Sequence, residues 1–494
     1  MTSMASPPTI IDMIREYSQS GLVICFKKDI PKFQVRCQHH RFPYCKSFCD
    51  NLLFDDCTYT LNEVLVTPSN MWQHDLPVTL CLAKMTSIRN LTSAIALVSV
   101  LLLISILDCE ARLLPINTPA FVQTKDTELV LNGVPFLFNG FNSYWMMNVA
   151  VDPNQRYKVS NVFREASAVG LTVCRTWAFS DGGNQSLQMS PGVYNEPMFQ
   201  ALDFVVAEAK KYGVRLMLSL VNNYMDFGGR PQYVQWAKSC GVPVTNDDDF
   251  YTNPVVKGYY KDHVKRVLTR INTITKTAYK DEPTIMAWEL INEPRCQVDS
   301  SGKTINEWIQ EMAPYVKSID SKHLLEVGME GFYGDSIPDR KQYNPGFQVG
   351  TDFVSNNLIK EIDFAAIHAY PDNWLAGQNG TMQMEFMQRW MMSHWEDSRT
   401  ILKKPLVFTE FGMSKKDPGY SIQARDSFMN VVYSSIYKFA QNGGTFAGGL
   451  VWQLLDEGMD PYDDGYEIVL SQNPSTSSVI SQQSTKMIAL ENIH

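Results

Sequence analysis

The sequence is poor in several features that define whole classes of protein. Its 43 lysines and arginines are outnumbered by 52 aspartates and glutamates, which gives a formal charge of −9 over 494 residues. Binding to nucleic acid depends on basic side chains that neutralise phosphates, so this balance argues against a nucleic-acid partner. Charged residues make up 19% and hydrophobic residues 45%, proportions typical of a folded globular protein and not of a disordered or fibrous chain.

Cysteine is scarce in the greater part of the chain. After residue 111 only Cys174, Cys240 and Cys296 occur, so that part can form at most one disulfide. It must therefore be stabilised by a hydrophobic core, which about 380 residues are enough to build. No cluster with metal-ligand spacing occurs there either, and we expect neither a metal nor a cofactor.

Long hydrophobic runs are almost absent. The exception is the uncharged stretch 91–107, which follows Arg89 and ends before Asp108. This pattern is typical of a secretory signal, so residues 85–111 are predicted to be a signal peptide and the mature chain to be secreted. At 17 residues the stretch also reaches the lower limit for a membrane-spanning helix, and a signal anchor or a buried helix are the alternatives. After cleavage we expect no stable membrane partner.

Residues 1–84 precede this segment and differ in composition from the rest. Six of the ten cysteines lie there, with His39 and His40 among them, and Cys45 and Cys49 have the spacing of zinc ligands. No second pair completes a zinc pattern, and no helical or strand period runs through the segment. Since a signal peptide normally begins at the initiator, Met85 is the natural start. We expect residues 1–84 to be an unstructured N-terminal extension or an artefact of the gene model.

Residues 112–494 repeat one theme, in which a short apolar run is followed by a turn and an amphipathic helix. Five helical segments stand out, at 198–212, 254–279, 305–319, 384–402 and 421–442, and the Ser-rich stretch 471–484 is expected to begin a closing helix. The apolar runs number eight: 135–142, 171–179, 214–221, 285–292, 324–328, 364–370, 406–411 and 447–454. Apolar strands alternating with helices predict a parallel sheet covered on both faces, and eight of them favour an α/β fold of one (β/α)8 TIM barrel.

The functional residues of such a barrel lie at the carboxyl ends of its strands. The predicted ends are polar, charged or aromatic: Trp145, Arg175, Trp177, Asn222, Asn223, Asn292, Glu293, Glu330, His368, Tyr370, Glu410 and Trp452. Glu293 ends the fourth strand and Glu410 the seventh. Because these two strands lie on opposite sides of the barrel mouth, their carboxylates are expected to face each other.

Two facing carboxylates are the groups that glycoside cleavage requires. One carboxyl must be protonated to donate to the departing oxygen while the other stays ionised. Mutual repulsion raises one pKa, and Arg175 is placed to hold the other down. Trp145, Trp177, Trp374 and Trp452 are candidates for stacking on sugar rings, which indicates a neutral polysaccharide as substrate.

The motifs at these strand ends resemble those of a known family. Asn292-Glu293-Pro294, His368-Ala-Tyr370, Thr409-Glu410-Phe411-Gly412 and Trp452 look like the signature of glycoside hydrolase family 5, in clan A. More narrowly, the segments 254–272, 284–296, 331–338 and 448–455 look like those of the plant endo-β-1,4-mannanases, and the likeness covers about residues 120–488.

The resemblance implies a retaining enzyme that cuts the β-1,4-mannosidic linkages of mannans, glucomannans and galactomannans in the cell wall. It implies that Glu293 is the acid/base and Glu410 the nucleophile. Other positions that match the family are Asn292 for the sugar 2-hydroxyl, Arg175, His368 and Tyr370 for ordering the nucleophile, and Trp452 as the platform under the cleaved sugar. We expect a monomer that is extracellular or in the cell wall.

Two departures and two alternatives remain. Plant mannanases often have Trp where this chain has Tyr224, and the loop 456–466 is unusually acidic, which puts local sugar contacts there in doubt. A different clan A β-1,4-glycanase, similar to a cellulase, uses the same chemistry. A non-catalytic sugar-binding barrel would have lost one carboxylate or its partners, and this sequence retains them all.

Overall fold

The computed structural model describes residues 120–183 and 185–491. The predicted extension 1–84 and signal segment 85–111 lie outside the described residues. In chain order the strands are β1 Gln123–Lys125, β2 Glu128–Leu131, β3 Val134–Pro135, β4 Phe138–Asn142, β5 Val173–Trp177, β6 Gln188–Ser190, β7 Val193–Tyr194, β8 Arg215–Ser219, β9 Ile285–Glu289, β10 Leu324–Glu326, β11 Ala365–Ala369, β12 Leu406–Phe411 and β13 Phe446–Val451.

Eight of these strands form one parallel sheet in the order β10-β9-β8-β5-β4-β13-β12-β11. Each lies in or overlaps one of the eight predicted apolar runs, so the predicted strands are confirmed. The two ends of the sheet meet, because the Asp363 amide donates to the Leu325 carbonyl at 2.8 Å and the His368 amide to the Glu330 carbonyl at 3.0 Å. The result is the predicted (β/α)8 barrel.

Helices cover the outside of the barrel. They are α1 Met146–Ala150, α2 Arg156–Ala168, α3 Glu196–Tyr212, α4 Gly229–Ser239, α5 Asp249–Thr252, α6 Pro254–Leu268, α7 Lys303–Ile319, α8 Phe353–Asn357, α9 Pro371–Trp374, α10 Gly380–Asp397, α11 Ile422–Gln441 and α12 Pro474–Glu491. The five predicted helices correspond to α3, α6, α7, α10 and α11, and α12 contains most of the Ser-rich stretch. No helix among residues 120–491 that the structure describes is long and apolar enough to span a membrane.

One predicted helix is too long. The segment 254–279 is helical only as far as Leu268. The chain then forms a turn in which the Asn272 carboxamide accepts from the amides of Ile274 and Thr275 at 2.8 and 3.0 Å. A side chain that bonds the nearby backbone competes with helical hydrogen bonding, and this region is rich in threonine, which does not favour a helix interior.

A small antiparallel sheet, β1–β3, precedes the barrel and packs on it. Leu129 and Phe136 from this segment join an apolar cluster with residues of the barrel strands, among them Val173, Met217, Ala287, Val407 and Leu450. A second, larger cluster fills the space between the sheet and the helices. The three cysteines after residue 111 form no disulfide, so this packing carries the stability of the barrel.

Candidate active site

Glu293 and Glu410 come together at the mouth of the barrel. Glu410 lies in β12, and Glu293 follows β9 by four residues. One oxygen of each carboxylate and a ring nitrogen of His368 lie within 4.8 Å of one another. The side chain of Glu293 is 13% exposed and that of Glu410 is 5% exposed, so the pair is recessed but reached by solvent.

The backbone around Glu293 is built to turn its side chain into the mouth. Glu293 has a left-handed φ of 48°, a conformation that non-glycine residues adopt at a cost of about 1 kcal/mol or more. Its amide donates to the Gly328 carbonyl at 2.8 Å, which anchors the turn to the chain after β10. Gly328 itself has φ 94°, and a Cβ there would lie 1.9 Å from the Ile291 carbonyl oxygen, so only glycine fits.

Arg175 organises the floor of the site. Its side chain has no exposure, and it donates to both oxygens of Glu289, at 2.5 and 2.7 Å. It also donates to Glu410 at 2.5 Å, to Asn292 at 2.7 Å and to Asn142 at 3.1 Å. A planar guanidinium whose three nitrogens all donate hydrogen bonds fixes the side chains around it, and Glu410 is therefore held in one orientation.

His368 and Tyr370 reach the carboxylates from β11 and the residue after it. The Tyr370 hydroxyl donates to Glu410 Oε2 at 2.6 Å. His368 Nδ1 lies 2.7 Å from Glu293 Oε1 and 3.6 Å from Glu410 Oε2, so the imidazole bridges the two carboxylates. The backbone carbonyl of His368 accepts from the Trp390 indole at 3.0 Å, and this bond fixes the backbone that carries the imidazole.

The pKa directions differ from the simple expectation that Arg175 depresses one carboxyl and repulsion raises the other. Burial raises the pKa of Glu410 above its usual value, although His368 and Arg175 oppose this. Burial would also raise the pKa of Glu293, but the hydrogen bond and charge of His368 outweigh it and leave this pKa lowered. Burial lowers the pKa of His368, but Glu410 and Glu293 outweigh it and leave that pKa raised. Because the three groups lie close together, they titrate together and not as independent sites.

Asn292 is locked by its neighbours. Its amide oxygen accepts from Arg175 at 2.7 Å, and its amide nitrogen donates to Asn222 at 3.0 Å. The orientation of the carboxamide is thus set before any ligand arrives, which suits a group that orders a sugar hydroxyl.

Aromatic rings line one side of the mouth. Tyr144 stacks on Trp452 with centroids 5.6 Å apart and an interplanar angle of 8°, and Trp177 lies 6.2 Å from Trp452. The indole nitrogen of Trp452 donates to Asp464 at 2.6 Å. Asp464 belongs to the acidic loop 456–466, so part of the charge of this loop orients the ring. Trp374 is not part of this aromatic group: it is half-buried and packs against Phe332, Phe386 and Trp390.

The expectation that Trp145 stacks on a sugar requires correction. Its side chain has no exposure, and its indole nitrogen donates to the Leu454 carbonyl at 2.9 Å. A ring with neither face accessible cannot contact a ligand, and Trp145 is a core residue beneath the mouth. The preceding residue, Tyr144, is the one that joins the aromatic group of Trp177 and Trp452.

A second polar group borders Glu293. Arg295 donates to both oxygens of Glu330, at 3.0 and 2.7 Å, and its guanidinium lies 5.7 Å from the centre of the Tyr224 ring. Burial and the charge of Glu293 raise the pKa of Glu330 to about 7, although Arg295 opposes this. Tyr224, the residue that departs from the plant pattern, therefore packs beside Glu293 and under Arg295.

One cluster among the described residues has acidic and imidazole atoms close enough to hold a metal, and it consists of Glu293, His368 and Glu410. Two of these atoms, His368 Nδ1 and Glu293 Oε1, already bond each other at 2.7 Å. The guanidinium of Arg175 also lies 2.5 Å from Glu410, and its positive charge disfavours a cation in the same place.

Several site residues went unrecognised in the sequence. Asn142, Ser219, Glu289 and Glu326 lie inside apolar runs, and Tyr144 adjoins Trp145, the predicted stacking residue. A charged residue within an otherwise apolar strand is a usable signal, because burial without a partner is costly. That signal marks Glu289 and Glu326 but cannot name their partners.

A closed barrel with two facing carboxylates at its mouth defines a glycoside hydrolase of the α/β-barrel type. Residues 119–458 match the family model described as glycoside hydrolase family 5, β-mannosidase-like, and the chain belongs to that family. Mannan endo-1,4-beta-mannosidase 5 of Solanum lycopersicum is 61% identical over 404 residues, which are 81% of this chain and 98% of that protein. Mannan endo-1,4-beta-mannosidase 7 of Arabidopsis thaliana is 56% identical over 373 residues, 76% of this chain and 86% of that protein.

A solved structure of a mannanase is also similar to this chain. The endo-β-1,4-mannanase of Thermotoga petrophila superposes with a TM-score of 0.62 at 32% identity, covering 72% of this chain and 77% of that one. The chain is therefore an enzyme, a glycoside hydrolase, and the barrel fold is confirmed.

Proposed function

We propose that this enzyme is a retaining endo-β-1,4-mannanase that cleaves mannans, glucomannans and galactomannans within the polymer. The observation that carries the proposal is the approach of Glu293 and Glu410, with carboxylate oxygens within 4.8 Å in a recessed mouth. Retaining glycosidases hold their two carboxyl groups about 5–5.5 Å apart, whereas inverting ones leave about 6.5–9.5 Å for a water molecule. The mannanase relatives supply the substrate class.

In the first step Glu410 attacks the anomeric carbon while Glu293 protonates the glycosidic oxygen. The C–O bond to the leaving sugar breaks as the bond between the Glu410 oxygen and the anomeric carbon forms. The proton on Glu293 passes to the departing hydroxyl. The products are a glycosyl-enzyme ester and a shortened chain that leaves.

In the second step Glu293, now a carboxylate, takes a proton from water. The hydroxide attacks the anomeric carbon and displaces Glu410. Two inversions at one carbon give net retention, and both carboxyl groups return to their starting states.

His368 has a role in supplying the proton. Its Nδ1 lies 2.7 Å from Glu293 Oε1, within direct transfer distance, and the two carboxylates raise its pKa against the effect of burial, so the two groups can share a proton before a sugar binds. When a glycosidic oxygen approaches Glu293, the shared proton moves to Glu293 and then to the leaving group. His368 is thereby a proton reservoir for the acid.

The remaining contacts position the reacting groups. Arg175 and Tyr370 donate to opposite oxygens of Glu410, which leaves its attacking lone pair in a fixed direction. Asn292 is oriented to meet the sugar 2-hydroxyl, where hydrogen bonds strengthen in the transition state. Trp452, which is half-buried, offers a flat apolar surface for the sugar face. Trp177 is only 4% exposed and packs against Phe179 and the Arg175 guanidinium, so it supports Trp452 and does not itself offer a face to the sugar.

Two substitutions test the proposal. Glu293→Ala and Glu410→Ala should each lower kcat on mannan by about 10³-fold or more while the protein still binds the polymer. Glu385→Ala, an exposed carboxylate on α10, is the matched control and should keep wild-type activity. Substantial turnover in either site variant would refute the assignment. A higher rate of hydrolysis on cellulose than on mannan and glucomannan would instead support the cellulase-like alternative.

We also propose that the enzyme is secreted and acts as a monomer outside the cell or in the cell wall. The uncharged run 91–107 after Arg89 supports the signal. N-terminal sequencing of the natural protein should give a start near residue 110, and light scattering should give the mass of one chain. A start at residue 1 would contradict the cleaved signal. The mass of a dimer would contradict the monomer.

A further inference from the structure

Two glutamates lie side by side beneath the active site. Glu289 of β9 and Glu326 of β10 are direct partners in the parallel ladder. Both side chains are buried with no exposure, and their carboxyl groups lie within hydrogen-bonding reach of each other. Neither residue belongs to the reacting pair.

The two carboxyl groups are partnered very unequally. Glu289 accepts two bonds from Arg175 and one from the Ser219 hydroxyl. Glu326 Oε2 accepts from the Gly328 amide at 2.5 Å, but Oε1 has no donor among the residues that the structure describes. A buried carboxylate oxygen that faces another carboxylate, with no donor between them, is a costly arrangement unless one of the two carries a proton.

The position of the positive charge decides which one. Arg175 directs two of its N–H groups at Glu289 and a third at Glu410, and none at Glu326. Glu289 is therefore the stable anion. Burial and the neighbouring charge of Glu289 raise the pKa of Glu326 well above its usual value, which agrees with the contacts.

We propose that Glu326 is a protonated positioning residue that holds both catalytic carboxylates through intermediaries. Toward the nucleophile, its carboxyl O–H bonds Glu289, Glu289 fixes Arg175, and Arg175 fixes Glu410. Toward the acid/base, Glu326 Oε2 fixes the Gly328 amide, and the Gly328 carbonyl accepts from the Glu293 amide at 2.8 Å. One side chain thus ties the two strand ends that carry the reaction.

The proton can be detected without any substrate. In Glu326→Gln the amide replaces the O–H donor and retains an acceptor for Gly328, so the fold is preserved. A carboxyl that is protonated when folded and ionised when unfolded makes the unfolding equilibrium constant of the wild type rise about tenfold per pH unit relative to this variant. This rise begins at about pH 5.5, above the pKa of an unfolded glutamate, and continues as long as the folded carboxyl keeps its proton. Equilibrium denaturant unfolding at several pH values measures the ratio.

A surface carboxylate provides the matched control. The slight burial of Glu311 raises its pKa, but hydrogen bonds from Lys257 and Lys261 outweigh this and hold the pKa below its usual value. Glu311 is therefore ionised in both states above about pH 5.5, and Glu311→Gln should change the unfolding equilibrium constant by a factor that does not vary with pH. If the ratio for Glu326→Gln is equally independent of pH, Glu326 is ionised in the folded protein and the proposal is wrong.

The positioning role, which rests on the proposed function, is tested by kinetics. Glu326→Ala should lower kcat on mannan about tenfold or more with KM within about twofold, and Glu326→Gln should restore at least half of the wild-type kcat. Wild-type kcat in Glu326→Ala, or an equal loss in both variants, would overturn the role. Failure of the wild type to cleave mannan would refute the proposed function instead, and the unfolding measurement would still decide the protonation.

Discussion

The guanidinium of Arg175 donates to Glu410 at 2.5 Å from a position that has no exposure to solvent. The same side chain bonds both oxygens of Glu289. A single buried cation therefore bonds a structural carboxylate and the proposed nucleophile, and its loss should affect stability and rate together.

Arg175→Lys should show both effects. A lysine cannot supply the planar fork, and two buried carboxylates would lose donors, so we expect stability to fall by about 3–5 kcal/mol and kcat by about 100- to 1000-fold. Denaturant unfolding and kinetics on mannan measure the two losses. Arg164→Lys, an exposed control on α2, should change neither. A stable, active Arg175→Lys variant would contradict the role given to the fork.

Tyr370→Phe should move the acid side of the pH profile. The phenol donates to Glu410 at 2.6 Å and lowers its pKa against the effect of burial. Without this donor the Glu410 pKa rises further, so the acid limb of kcat/KM should shift to higher pH by about one unit. Tyr157→Phe, which alters an exposed ring, is the control. An unmoved acid limb would mean that Tyr370 does not stabilise the ionised Glu410.

His368→Gln should move the alkaline limb of the pH profile of kcat/KM. In the wild type the alkaline limb of kcat/KM reports loss of the proton that His368 and Glu293 share, and the raised pKa of His368 keeps it bound. When only a carboxyl can hold that proton, the limb should move to lower pH by about one unit and kcat should fall. A lower kcat with the limb in place would show that His368 orders the site but does not store the proton.

Two tryptophans should separate packing from sugar contact. Trp145→Phe removes a buried hydrogen bond and some volume, so it should lower stability by about 2–3 kcal/mol with little change in KM. Trp452→Ala should raise KM for mannan severalfold or more with a smaller loss of stability, because its half-buried ring is at the mouth. The reverse pattern would place Trp145 in the cleft and contradict its assignment to the core.

The barrel could be predicted from sequence because its strands are buried on both faces and read as apolar runs. The approach of Glu293 and Glu410 at the barrel mouth could be predicted because polar residues follow those runs at one end, and the motifs there resemble those of a known family. Both signals are local. They need no knowledge of which side chain meets which.

The second layer of the site could not be predicted in the same way. Glu289 and Glu326 lie within apolar runs, and only the register of β9 against β10 shows that they meet. The choice between Tyr144 and Trp145 depends on the direction of the chain between β4 and α1, where a shift of one residue exchanges the core for the mouth. The helix predicted to reach residue 279 ends at Leu268 and is followed by a turn in which the Asn272 side chain bonds the backbone, and hydrophobic periodicity does not reveal such a turn.

The most direct test of the central claim is the stereochemistry of the first product. Proton NMR during early hydrolysis of a mannan oligosaccharide follows the anomer at the new reducing end before mutarotation. Double displacement at Glu410, with Glu293 as acid and base, predicts that the β anomer appears first. Initial release of the α anomer would contradict it.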